Sequence, residues 1–86
     1  MIRFTIEERH LTDGEGRPVT SPEAVAFHTI EAETVDDAVR LYIGNDGTQL
    51  IGDVLKFPGL QAMATIRKAS GVYTLQLTPA SQGYQL

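Results

Sequence analysis

Only one stretch of this 86-residue chain repeats its apolar residues at helical spacing, and that limits what the remainder can become. Val35, Ala38, Val39 and Tyr42 fall at i, i+3, i+4 and i+7, one apolar stripe of a helix. Thr34, with Asp37 three residues on, forms a relative of the capping box. Glu33, Asp36 and Asp37 stand where the helix dipole favours anions, and Gly44 is placed to end the helix. The spacing therefore predicts a single amphipathic helix over about residues 35–43.

The rest of the chain alternates with period two and is punctuated by turn formers. Ile2, Phe4 and Ile6 alternate with Arg3, Thr5 and Glu7, a half-buried strand ending near Arg9 or His10. Thr12 to Pro18 and then Ser21-Pro22 read as a loop or hairpin tip. Val25 to Glu31 follows as a second strand, and Asn45-Asp46-Gly47 as a turn after the helix. Gln49 to Phe57, Ala62 to Lys68 and Val72 to Thr78 complete the set. Pro58-Gly59 suits the centre of a type II turn between the first two of these, and Gly71 a tight turn before the last. The expected fold is a single α+β domain over residues 1–86, of order β-β-α-β-β-β. Its sheet is five-stranded and mainly antiparallel, with the helix on one face.

Composition closes off several classes. A mass of 9.4 kDa allows one hydrophobic core. With no cysteine there is no disulfide, thiolate zinc site, iron–sulfur cluster or covalent haem. Apolar runs are too short for a transmembrane span, and the charged, alternating N-terminus is a strand and not a signal peptide, so a cytoplasmic location is expected. Residues 1–53 hold four basic residues (Arg3, Arg9, Arg17, Arg40) and all eleven acids, net −7, while residues 54–86 hold Lys56, Arg67 and Lys68 and no acid, net +3, giving −4 overall. Three cations in the C-terminal third are too few for a nucleic-acid stripe.

Geometry supplies the functional hint. Five strands ~4.8 Å apart make a sheet roughly 20 Å wide, and a helix ~10 Å across covers about half of one face. Yet the third strand is apolar on both sides, with Ile51, Leu55 and Phe57 on one and Leu50 and Val54 on the other. The fourth sets Met63 against Ala62, Ala64 and Ile66. Either the sheet curls over its second face or a partner packs there, and a homodimer is the expected solution. Leu55, Phe57, Met63, Tyr73 and Leu75 are the expected interface residues. The last strand, Val72 to Thr78, is either an exposed edge open to strand addition or an interior strand covered by the first.

No arrangement of residues points to catalysis, a cofactor or a resident metal. His10 and His28 are the imidazoles available, and no spacing pairs either with Glu31, Asp53 or Ser21 as a dyad requires. Glu31, Glu33, Asp36 and Asp37 are dense but split between a strand and a helix start, unlike the converging loop of a calcium site. Gly14-x-Gly16 lacks the third glycine, lysine and helix of a phosphate loop.

The stretch Phe27-His28-Thr29-Ile30-Glu31-Ala32-Glu33-Thr34-Val35-Asp36-Asp37-Ala38-Val39 resembles the strand-then-helix unit of small α+β domains such as HicB-type antitoxins. Asp13-Gly14-Glu15-Gly16-Arg17-Pro18-Val19 and Gly71-Val72-Tyr73-Thr74-Leu75 are similar to segments of small extracellular β-sandwich modules, from which the intervening helix departs. The leading expectation is a non-enzymatic protein-interaction module that self-associates through its sheet, with room for an unidentified further protein partner. The alternatives are a small-molecule binder or enzyme, with a pocket between helix and sheet or at a dimer seam involving His28 or Tyr42, and an antitoxin-like partner protein.

Overall fold

The computed structural model describes residues 1–20, 24–44 and 47–79. Its elements follow the expected order: β1 (Ile2–Asp13), β2 (Val25–Ala32), α1 (Val35–Ile43), β3 (Gln49–Phe57), β4 (Gln61–Lys68) and β5 (Gly71–Pro79). The five strands form one antiparallel sheet in the order β2-β1-β5-β4-β3, with α1 packed on one face. The loop expected at Ser21-Pro22 and the turn at Asn45-Asp46 lie outside the described residues.

The helix starts and stops where its caps dictate. Thr34 Oγ1 accepts the Asp37 amide at 3.1 Å, and the Gly44 amide donates to Arg40 O from a backbone with φ of 63°. Its buried stripe of Val35, Ala38 and Val39 meets Phe4 and Ile6 of β1, Ala32 of β2, Ala62, Ala64 and Ile66 of β4, and Leu75 and Leu77 of β5. Four of these positions are alanines, which let the helix sit close to the sheet. At ~1.5 Å per residue, α1 is about 13 Å long and stops short of the far end of the strands.

One sequence expectation changes, at β1, and the alternative left open at β5 is resolved. β1 continues beyond His10 to Asp13, because β5 pairs along its length across a bulge between His10 and Thr12. β5 is an interior strand, held by β1 on one side and β4 on the other. The β1–β5 junction depends on Gly71, whose φ is 135°. A Cβ there would lie 1.9 Å from Thr12 O, a separation no side chain tolerates.

The sheet stays open, with β2 and β3 at its edges. β3 carries a pronounced irregularity: Ile51 pairs with Thr65 and Leu55 with Met63, so Gly52, Asp53 and Val54 stand opposite Ala64 alone. Gly52 takes a φ of 73° to make the bend. Because two residues are inserted, the alternation keeps its phase, and Ile51, Leu55 and Phe57 remain on one face. No helix among the described residues is long and apolar enough to cross a membrane.

Candidate interaction face

The face of the sheet away from α1 is divided in composition. Over β3 and β4 it presents Ile51, Leu55, Phe57 and Met63, and Leu60 stands exposed in the adjoining turn. Leu55, directly opposite Met63, is 57% exposed. The centre carries Thr65, Thr74 and Gln76. Over β1 and β2 the face becomes charged but locally neutral: Arg3 pairs with Glu31 at 3.2 Å and Arg9 with Glu7 at 2.8 Å. Leu55, Phe57 and Met63 are contiguous, and the exposed Asp53 in the β3 irregularity and Arg67 on β4 border them.

Three of the five expected interface residues, Leu55, Phe57 and Met63, are brought together here. Tyr73 and Leu75 are not, and this corrects the sequence expectation. Leu75 is 0% exposed beneath α1, and Tyr73 is half-buried on that same inner face. The cause is register: Met63 pairs with Gln76, while Leu75 pairs with Ala64, so the apolar phase of β5 points inward. Ile51 and Leu60 extend the patch. Ile51 shares the odd-numbered phase of Leu55 and Phe57, a signal already present in the sequence.

A second concentration of polar chemistry lies on the helix side of the sheet, beyond the end of α1. Glu8 follows Phe4 and Ile6 in the inward phase and is buried, an expensive place for a carboxylate unless it is partnered. Tyr42 donates its hydroxyl to Glu8 Oε1, and Lys68 Nζ donates to Oε2 at 3.1 Å. His28 Nε2 stands 3.9 Å from Oε1. Burial, then the hydrogen bond to Glu8 and its charge, hold the Tyr42 phenol well above its ordinary ionisation range.

His10 lies alongside this group, stacked on Tyr73 with ring centroids 4.1 Å apart, and its Nε2 is 3.0 Å from Ser70 O. The Lys68 ammonium sits 4.7 Å from the Tyr73 ring centre. Glu8, His10, Tyr73 and Ala24 to Ala26 border a shallow cleft of about 200 Å³. His28 thus approaches one carboxylate, Glu8, which spacing in the sequence did not single out, while His10 packs on Tyr73 beside it. A charged residue on the buried phase of a strand was the available signal.

The remaining sequence features have local explanations. The acidic cluster is divided among separate cations, Glu31 with Arg3, Asp36 with Lys56 and Asp37 with Arg40. Among the described residues no group of three or more histidine or acidic side chains is placed to hold a metal ion. Asp13 Oδ1 accepts the Arg17 and Glu15 amides at 2.9 Å each, which closes the Gly14-x-Gly16 segment as a hairpin tip. Those bonds, that from Arg17 foremost, lower the Asp13 carboxyl pKa from its ordinary value. Between α1 and β3 runs a groove of about 320 Å³ bordered by Val39, Ile43, Leu50 and Val54. No protein-family model, curated protein or solved structure matches the chain.

Proposed function

We propose that this chain is a small protein-interaction module, rather than an enzyme, which self-associates through the open face of its sheet. The observation that carries this reading is the apolar cluster of Leu55, Phe57 and Met63, extended by Ile51 and Leu60, on a face that no described element covers. Size supports a second copy as the occupant. Five strands ~4.8 Å apart and about eight residues long at ~3.3 Å each give a face of roughly 600 Å². Two such faces, with the ion-paired β1–β2 sector included, bury about 1,200 Å² together, close to the ~1,000 Å² that a specific interface requires. A two-fold axis parallel to the sheets lets each copy present the same sector to the other, as isologous pairing requires.

The test is mass by light scattering across a hundredfold dilution. The expected result is at least twice 9.4 kDa at the concentrated end, with Leu55→Glu halving that mass. A wild-type monomer at every concentration overturns the reading.

The partnered Glu8, with the stacked His10 and Tyr73 beside it in the adjoining cleft, favours a second reading, a small-molecule site there. Its polar groups already satisfy one another, which is why it ranks second. A fragment screen followed by amide NMR separates the two: shifts at His10, Ala26 and Tyr73 support the cleft, and a screen that leaves these three unmoved removes it.

A further inference from the structure

The two edges of the sheet, neither paired further among the described residues, differ in a way that the open-face reading does not use. β3 carries the devices that stop an edge from templating another strand. Its ladder is broken between Ile51 and Leu55, Gly52 bends the backbone, Lys56 holds a charge beside the edge, and Pro58 follows immediately. β2 has none of these. It pairs with β1 in unbroken register from Val25 opposite Arg9 to Ala32 opposite Ile2. It contains no proline, lysine or arginine, and its one carboxylate, Glu31, is already paired with Arg3. Phe27, in the middle of this strand, is 67% exposed. A regular, partly apolar edge without proline or lysine is the form that accepts a further strand.

We propose that the outer edge of β2 pairs antiparallel with β2 of a second copy, joining two sheets into one of ten strands. Symmetry selects the occupant and narrows the register. Directly opposed residues in an antiparallel pair share a face, so a two-fold axis normal to the sheet must pass through a residue and not between two. Full overlap of Val25–Ala32 leaves His28 or Thr29 at the centre. Centring on Thr29 sets Phe27 against a carboxylate, Glu31 of the second copy. Centring on His28 sets Phe27 against Thr29 of the second copy, an aromatic–β-branched pair that stabilises a sheet. His28 is therefore the axial residue, and each copy's Glu8 lies 3.9 Å from its own His28 to offset the meeting of two imidazoles.

This inference adds a second two-fold to that of the open face. If both hold and the axes meet, the assembly closes at four copies. The absence of cysteine allows a direct test. In the proposed register, the two copies of residue 28 have Cα atoms ~5 Å apart, within the disulfide range, while the two copies of residue 29 are about 8 Å apart and outside it. His28→Cys is expected to cross-link as a covalent dimer under mild oxidation, at least tenfold faster than Thr29→Cys.

Phe27→Lys provides a second readout, taken together with the cross-link because Phe27, opposite Glu7, also borders the open face. That side chain is largely exposed, so the fold persists, as circular dichroism will verify, and the mass by light scattering is expected to halve. Equal or negligible cross-linking of the two cysteine variants, or an unchanged mass for Phe27→Lys, overturns the edge pairing. The open-face reading fails separately, through Leu55→Glu leaving the mass unchanged while His28→Cys still cross-links.

Discussion

Leu60 occupies a left-handed backbone conformation, with φ of 61°, and is 49% exposed. Both properties are unfavourable for a leucine: the conformation costs an L-residue roughly 1–2 kcal/mol, and the side chain recovers little by burial. Glycine there relieves the strain at some entropic cost, for a net gain of about 0.5–1 kcal/mol. The same substitution removes an apolar group from the rim of the patch. Leu60→Gly in a Leu55→Glu background is therefore expected to raise the urea midpoint. In the otherwise wild-type chain it is expected to weaken self-association, read as a larger dissociation constant by light scattering. A lower midpoint in the first background would show that Leu60 supports the turn by packing. Gly59, beside it, takes the positive φ that a type II turn demands, and the sequence disclosed that through Pro58-Gly59. The left-handed leucine was not legible, because no residue preference points to it.

At the scale of elements, the bond from Tyr42 to Glu8 fastens the last turn of α1 to β1 at the open end of the core. Removing it with Tyr42→Phe leaves Glu8 buried with Lys68 as its hydrogen-bond donor, and is expected to cost about 1–3 kcal/mol. In a domain of this size that lowers the melting temperature by several degrees. The pH dependence follows from the raised phenol. Below pH 10.0, the ordinary tyrosine value, the folded and unfolded states both keep this proton. Above it the unfolded chain releases the proton and the folded chain does not, so stability falls as pH rises. Denaturant melts from pH 8 to pH 11 are expected to show a steeper alkaline loss in the wild type than in Tyr42→Phe, and equal slopes would refute the linkage.

These elements also mark how far the sequence could be read. The helix bounds were legible because Thr34, the Val35-Ala38-Val39-Tyr42 stripe and Gly44 are local signals. The phase of each strand was legible too, including the two-sided character of β3. Relative phase between strands was not. Grouping Tyr73 and Leu75 with Leu55 and Met63 required knowing that Met63 faces Gln76, and that follows from the Ala69-Ser70 turn, which sets Lys68 opposite Gly71. Glu8 stood in plain view on an inward phase, but its partners come from β2, α1 and β4, so only tertiary structure could name them.

For the whole molecule, the governing fact is that β5 is both the last described strand in the chain and the central one in the sheet. β1 pairs with it from Phe4 opposite Pro79 to Asp13 opposite Gly71, joining residues from distant parts of the sequence. Such non-local pairing slows folding, since loop closure must precede the contacts that reward it. Leu75, fully buried where β5 meets both neighbours, is expected to belong to the step that limits the rate. Leu75→Ala should cost about 2–4 kcal/mol, with most of that loss appearing as slower refolding in stopped-flow experiments. A loss confined to faster unfolding would place β5 docking after the barrier.

The position of β5 also determines what the ribosome releases. A nascent chain that has emerged as far as Lys68 carries the segments of β1, β2, α1, β3 and β4, but not the strand that joins the β1–β2 pair to the β3–β4 pair. Each then exposes the flank that β5 later covers, so the completed sheet awaits translation past Pro79.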